Sequence, residues 1–256
     1  MPDVGTLSLL APKFWIQNRS AFLFSKLCPL LRLLLKASRQ LQPLVSKTPQ
    51  ALDPKHSMNY LAHLLLADKT SNSLLGSLMG DFVKGPVDEA IPKPLRAAIV
   101  QHRRVDSFTD AHTIVKRSKN RISPEFRRYA GILIDVFYDH FLATQWVSFS
   151  DQPLNSFTTQ VYAHLKQNSH FAPDKMQPTL NYMIHYDLLG SYQQMNGIHQ
   201  ALCGIESRLK RPSQLGRGII ELQQNHDALR ADFMDFFPEL IQFVEESPTS
   251  TEGVLS

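Results

Sequence analysis

The chain has 256 residues, of which 43% are hydrophobic, which is enough to bury a core and excludes a disordered protein. Its net charge of +4 is unevenly placed, because residues 1–57 carry eight Lys or Arg against two acids and residues 58–256 have a net charge of −2. The basic charge is therefore no argument for a nucleic-acid partner, and we expect none.

Residues 1–57 form a basic leader, which is rich in Ser, Leu, Lys and Arg and almost free of acids, as organelle transit peptides are. The alternative is an upstream extension or a mis-assigned start, because Met58 begins the first well-patterned segment. We expect the leader and the polar tail 247–256 to be disordered, and residues 58–246 to form the folded domain.

Two features favour a cytoplasmic protein without membrane contact. No stretch contains the roughly 20 consecutive apolar residues that a transmembrane helix needs. Cys203 is the one cysteine outside the leader, so it cannot take part in an internal disulfide framework.

From Met58 onward the hydrophobic spacing is helical and shows no alternating strand pattern of convincing length. We predict an all-α fold, a multi-helix single domain. Four prolines, at positions 173, 178, 212 and 238, should mark breaks or first turns. The expected helices cover about 60–67, 71–83, 95–111, 124–147, 154–168, 175–187, 191–209, 214–224 and 227–246.

The helix over 95–111 combines a metal-ligand pair with an apolar face. His102 and Asp106 are four residues apart, so both project from one side of the helix. Burying the carboxylate is costly unless a cation or metal compensates it. The alternative is a simple His–Asp hydrogen bond, or an ion pair with Arg103 at the rim. The stripe that we expect to face inward is Leu95, Ala98, Ile99, His102, Val105 or Asp106, and Thr109.

The helix over 124–147 repeats this spacing with Asp135 and Asp139, and its centre is apolar on nearly every side, so it should be central and buried. His140 lies about 100° further around the helix, within reach of a metal shared with Asp139. Two carboxylates and an imidazole suit Mn²⁺ or Mg²⁺. Alternatively, these are buried carboxylates that arginines such as Arg103 or Arg127 neutralise.

Two residues upstream could complete such a site. His63 lies in a very apolar helix, where it is either a core histidine or, with Asp81, a further ligand. Asp81 ends the second helix, in which Gly76 and Gly80 predict that another backbone packs closely. Asp110 and His112 are weaker candidates, because the end of a helix is solvated.

Residues 93–128 contain ten Lys or Arg against three acids, a net charge of +7. A positive surface beside a metal site suggests an acidic, phosphate-bearing partner. A solvated helical face is the alternative.

Several segments resemble the acyl carrier protein phosphodiesterase family. They are residues 58–64 (MNYLAHL), 76–85 (GSLMGDFVKG) and 102–110 (HRRVDSFTD), and the likeness continues through 135–141, 226–229 and 236–238. It spans about residues 58–242 and supports Met58 as the natural start.

The resemblance implies an all-helical fold distantly related to the HD-domain metal phosphohydrolases. The implied reaction is hydrolysis of holo acyl carrier protein to the apo carrier and 4′-phosphopantetheine, a step connected with fatty acid biosynthesis. Asp139-His140 reverses the order of the HD signature, so ligand roles cannot be copied from HD enzymes.

For this reaction we expect Mn²⁺ or Mg²⁺ as the cofactor and holo acyl carrier protein as the partner. Arg103 would grip the phosphodiester, His102 or His140 would protonate the departing serine, and the 93–128 segment would dock the acidic carrier. The alternatives are an HD-like hydrolase of a nucleotide or another small phosphoester, and a helical module that binds the carrier without cleaving it. The expected catalytic residues are Asp81, His102, Arg103, Asp106 and His140, and the expected metal ligands are drawn from His63, Asp81, His102, Asp106, Asp135, Asp139 and His140.

Overall fold

A computed structural model describes residues 59–246 of the chain. The leader 1–57 and the tail 247–256, for which we predicted disorder, lie outside the described residues. Within the range the chain forms ten α-helices and no β-strand, which confirms the all-α prediction. The helices are α1 Tyr60–Leu65, α2 Ser71–Met79, α3 Lys93–Ala111, α4 Thr113–Arg121, α5 Ala130–Thr144, α6 Leu154–Asn168, α7 Gln177–His185, α8 Leu188–Ser191, α9 Met195–Glu206 and α10 Ile219–Glu246.

Helix α5 lies at the centre of the domain, as its apolar sequence predicts. Twelve of its fifteen residues are buried. It contacts α1, α4, α9 and α10, so several elements bury their apolar faces against it. The predicted helix 124–147 is shorter than expected, because Pro124–Tyr129 forms a 3₁₀ helix and α5 ends at Thr144.

Helices α2 and α3 pack against each other very closely, and glycine makes this possible. A Cβ atom on Gly76 would lie 2.7 Å from the Ala98 Cβ and from the Leu95 carbonyl oxygen. The predicted close approach of another backbone is confirmed at Gly76, whereas the neighbour of Gly80 is the His102 side chain. The buried face of α3 is also the predicted one, with Leu95, Ala98, Ile99, His102, Val105 and Thr109.

Helix α4 was not predicted, because its sequence is strongly cationic and offers few apolar positions. It forms because Val115 and Ser118 are buried and because its cations meet carboxylates on other elements. His112 caps its first turn, since the His112 Nδ1 accepts a hydrogen bond from the Ile114 backbone N–H at 3.3 Å.

The predicted break between 224 and 227, and the one at Pro238, are wrong. Helix α10 runs unbroken over 28 residues with Pro238 inside it. A proline in a helix removes one hydrogen bond and crowds the preceding turn. Here Phe236, Phe237 and Leu240 are buried on both sides of it, and their packing holds the two halves in one helix. No helix in the described part of the chain is long and apolar enough to cross a membrane.

Candidate active site

Four of the predicted ligands meet where α1, α3 and the end of α2 converge, and we call them the carboxylate–histidine cluster: His63, Asp81, His102 and Asp106. The His63 Nε2 lies 3.0 Å from one Asp106 oxygen, and the His102 Nε2 lies 3.1 Å from the other. The His102 Nε2 is also 3.5 Å from Asp81 Oδ1. The two imidazole rings stack with their centroids 3.9 Å apart. Asp106 therefore bridges two parallel rings.

The cluster is buried except on one side, where it is open to solvent. His63 and His102 are each 2% exposed and Asp81 is 7% exposed. The Asp106 side chain is 29% exposed, so this carboxylate forms the solvent-facing edge of the cluster. A substrate can therefore reach the cluster from the side of Asp106.

His63 is held in place by two side chains from other helices. Both carboxylate oxygens of Asp139, on α5, accept hydrogen bonds from the first turn of α1, from the Leu61 N–H at 2.8 Å and the Ala62 N–H at 2.9 Å. At the other end of the same short helix, the Ser77 hydroxyl donates to the His63 carbonyl oxygen at 3.1 Å. The position of His63 therefore depends on α2 and α5 as well as on α1.

His102 is placed by the absence of a side chain at Gly80. A Cβ atom on that glycine would lie 2.1 Å from the His102 Cδ2. The chain leaves α2 at Gly80 and turns at once, with Phe82 N–H and Val83 N–H donating to the Met79 carbonyl. This turn brings Asp81 to the same ring. Gly80 thus leaves room for the His102 ring, and Asp81 places a carboxylate beside it.

The charges in the cluster set its protonation. Burial lowers the pKa of His102, but Asp106 and Asp81 together outweigh burial and raise this pKa to about 10. Burial, and then the charge of His102, lower the pKa of His63. Burial acts to raise the pKa of Asp106, but the His102 and His63 rings beside it hold this pKa well below its usual range. The cluster thus accommodates one positive charge between two carboxylates.

Several polar atoms in the cluster have no hydrogen bond in the described structure. They are both ring nitrogens of His102 and the Asp81 Oδ2, all of them buried. The His102 Nε2 is near two carboxylates, but at angles that do not suit a hydrogen bond. Buried polar atoms are rarely left this way without a functional reason. Ligand atoms of His63, His102 and Asp106 all lie within 4.8 Å of one another, a spacing at which one cation can touch all three.

The predicted ligands on α5 lie in other surroundings. Asp139 is fully buried, and both its oxygens are engaged by α1. Burial raises the pKa of Asp139 to about 8, although its two backbone donors act to lower it. The His140 Nδ1 donates a hydrogen bond to the Tyr192 carbonyl oxygen at 2.8 Å, and the His140 ring lies 6.2 Å from that of His226. Burial lowers its pKa.

Unlike Asp139 and His140, Asp135 has a pKa that is affected by a residue of the cluster, Asp106. Burial raises the pKa of this half-buried carboxyl, and the charge of Asp106 raises it further, while Lys119 acts to lower it. Its role as a ligand stays a prediction, as do those of Asp139 and His140. Neither Arg103 nor Arg127, the arginines we considered as neutralising partners, contacts these carboxylates, since Arg103 donates to the Val83 carbonyl and Arg127 to Asn120.

The structure divides the basic segment 93–128 into two parts. On α4, the side chains of Arg117 and Arg121 bind Asp232, and Lys119 binds Asp110. These three cations form ion pairs within the protein. A count of charged residues in the sequence could not show this pairing. Helix α3 carries the part of the segment next to the cluster, with Arg103 and Arg104 half-buried.

A groove of about 510 Å³ runs along α3 and the end of α10. The Arg104 guanidinium lies 5.5 Å from the centre of the Phe243 ring, which itself stacks on Phe108 at 4.4 Å. Val100 is 43% exposed beside them. The groove therefore combines apolar surface with positive charge and has no acidic lining residue. It is lined by Val100, Arg103, Arg104, Ser107, Phe108 and Phe243.

Two supporting residues had no predicted role in the site. Ser77 gave no signal, because a serine inside a helix usually faces solvent or its own backbone. Gly80 was predicted to allow close packing, but only the structure shows that its neighbour is the His102 ring. In each case the information lies in a contact with a different helix, which the pattern within one helix does not show.

Comparison with known proteins agrees with the resemblance of the motifs. The family model described as acyl carrier protein phosphodiesterase matches residues 58–240. Proteins with that name from Enterobacter sp. (strain 638), Escherichia coli O6:H1 and Serratia proteamaculans are 37%, 35% and 36% identical over 188, 186 and 187 residues. Each alignment covers 72% of this chain and 96% of the relative.

No solved structure matches the chain. The distant likeness to HD-domain phosphohydrolases therefore stays a prediction. The family match covers the whole of the helical range that carries the carboxylate–histidine cluster. The chain belongs to the acyl carrier protein phosphodiesterase family.

Proposed function

We propose that this enzyme hydrolyses holo acyl carrier protein to the apo carrier and 4′-phosphopantetheine, and that it uses Mn²⁺ or Mg²⁺ held by the carboxylate–histidine cluster. The observation that supports the metal is the set of buried, unsatisfied nitrogen and oxygen atoms on His102 and Asp81, which lie beside His63 and Asp106. The substrate follows from the names of the relatives.

The residues fit a divalent cation by charge and by chemistry. Two carboxylates and two neutral imidazoles carry a charge of −2, which such a cation balances. The mixed set of nitrogen and oxygen donors suits Mn²⁺ well, whereas Mg²⁺ prefers oxygen ligands and keeps several waters. Because a cation must displace the proton from His102, binding would release protons and strengthen as the pH rises.

When bound there, the cation supplies positive charge that promotes deprotonation of water and offsets the charge of the phosphodiester. The protein orients the reacting groups around it. Asp106 forms the exposed edge of the cluster, so the phosphodiester enters from that side. Arg103 follows His102 on α3, and its bond to the Val83 carbonyl uses one of its five N–H donors, so others can reach a phosphate oxygen.

The departing serine oxygen must take up a proton. Of the two histidines expected to supply it, His102 belongs to the cluster, whereas His140 contacts Tyr192 and His226. A ring nitrogen that binds a cation cannot donate a proton at the same time. His102→Gln separates the two roles, because loss of a ligand weakens cation binding, whereas loss of an acid lowers kcat with cation binding unchanged.

The main test is intact-mass measurement of holo carrier protein incubated with the full-length chain, with Mn²⁺ or with EDTA. We expect the carrier to lose phosphopantetheine with Mn²⁺ and to keep it with EDTA. An intact holo carrier in the presence of metal contradicts the proposed reaction, and equal cleavage in EDTA contradicts the metal. Cleavage of small phosphoesters with no effect on the carrier indicates the HD-like alternative.

We further propose that the groove on α3 and α10 contacts the acidic carrier. Its positive charge is complementary to such a partner, whereas three cations of α4, Arg117, Lys119 and Arg121, bind carboxylates of the enzyme itself. Arg104→Glu should raise KM for the carrier with little change in kcat. Lys116→Glu, the same charge reversal on the exposed side of α4, is the matched control. Equal effects of the two variants mean that the groove is not the docking surface.

A further inference from the structure

The first turn of α1 is capped by a residue from another helix. A helix begins with backbone N–H groups that have no partner inside it, and a preceding Ser, Thr, Asp or Asn in extended conformation usually binds them. Asn59 occupies this position, but its ψ of 62° is not extended and its side chain makes no capping bond. Asp139 from α5 takes over this function with both carboxylate oxygens.

This cap acts on a short helix whose position depends on contacts with other parts of the protein. Helix α1 has six residues, and a helix of that length has little stability of its own. His63 directly follows Ala62, whose N–H is the second donor to Asp139. The ring of His63 must meet Asp106 at 3.0 Å and stack on His102 at 3.9 Å, and both contacts require α1 to stay in place.

We propose that Asp139 is a positioning residue that acts on the active site through His63, and that it does not bind the cation. This inference rests on the proposed function, in which His63 is a ligand. It revises our sequence-based prediction that Asp139 is itself a ligand, because both its oxygens are already engaged by backbone donors and it is 0% exposed. Residues that orient metal ligands affect metal affinity through geometry.

The test compares two variants at Asp139 with a matched control. Asp139→Asn keeps one oxygen acceptor and Asp139→Ala keeps none. Asp232→Asn is the control, because Asp232 is an equally buried carboxylate whose partners, Ser118, Arg117 and Arg121, lie outside the cluster. Mn²⁺ binding to each full-length variant is measured by electron paramagnetic resonance, and kcat and KM for the holo carrier are measured separately.

We expect Asp139→Ala to weaken Mn²⁺ binding about 10- to 100-fold, the usual effect of losing a residue that orients a metal ligand. Asp139→Asn should lose less, kcat should fall while KM for the carrier stays unchanged, and Asp232→Asn should bind Mn²⁺ as the wild type does. Wild-type affinity in Asp139→Ala overturns the proposal. So does an equal loss in Asp232→Asn, because the effect is then one of general stability.

A second measurement is independent of the cation and of catalysis. In the metal-free protein, NMR contacts between the His63 and His102 rings report whether α1 is in place. Loss of these contacts in Asp139→Ala supports the proposal, and their persistence in that folded variant overturns it. If the wild type binds no Mn²⁺, the proposed metal function fails, and the ring contacts still decide whether Asp139 positions His63.

Discussion

Two of the buried carboxylate centres in the described residues differ in how well their polar atoms are satisfied. Asp232, on α10, is 1% exposed and receives bonds from Arg117, Arg121 and the Ser118 hydroxyl. In the carboxylate–histidine cluster, His102 and Asp81 are also buried, yet they keep atoms that bind nothing in the described structure. A satisfied centre joins helices, and an unsatisfied one is available to a ligand.

The comparison predicts that removing a carboxylate from the cluster abolishes catalysis with little effect on folding. Asp106→Ala removes the group that bridges both histidines. We expect kcat/KM for the holo carrier to fall at least about a thousandfold, since several kcal/mol of transition-state stabilisation depend on the cation. Asp110→Ala, one turn further on and exposed, is the control and should remain active. An active Asp106→Ala enzyme would remove this residue from the site.

The opposite result is expected at the satisfied centre. Asp232→Asn should lower the free energy of unfolding by about 2 to 3 kcal/mol, less than for a fully buried ion pair because both arginines are partly exposed. The activity of the folded enzyme should be unchanged. Urea denaturation and kcat/KM give the two readings, and a stable but inactive variant contradicts the assignment of Asp232 as structural.

A variant that moves His102 without altering a charge tests how strongly catalysis depends on the position of this ring. Gly80→Ala places a methyl group where the His102 ring lies, so the ring must shift and kcat should fall about 10- to 100-fold. Gly204→Ala is the control, because a Cβ there meets nothing within 4 Å in the described structure. That control should be stabilised by up to about 1 kcal/mol through higher helix propensity. Equal kcat in the two variants contradicts the close contact with His102.

The smallest expected effect is on stability in acid. Burial acts to raise the pKa of Asp232, but hydrogen bonds from Arg121, Ser118 and Arg117 lower it below its usual value. The unfolded chain therefore takes up the proton first, at about pH 4, so this carboxylate stabilises the folded state above that pH and less so below it. The free energy of unfolding should decrease more steeply below about pH 4 in the wild type than in Asp232→Asn. Parallel pH curves contradict this.

Much of the fold follows from local patterns. Apolar residues at helical spacing indicated the buried face of α3 and the central position of α5. Gly76 indicated where two backbones approach, because glycine is otherwise unfavourable in a helix. The failures share one cause. Helix α4 and the continuous α10 depend on partners elsewhere in the chain, the carboxylate of Asp232 in one case and the packing around Pro238 in the other.

The sequence by itself determined the all-α class, the family and the set of residues from which a site can be built, because spacing along a helix decides which side chains share a face. Only the tertiary structure decided which of them meet. His63 and Asp81 join His102 and Asp106, while Asp139 caps α1 and the arginines of α4 pair with α10. Spacing describes one helix at a time, whereas hydrogen bonds and ion pairs between helices depend on how the helices pack.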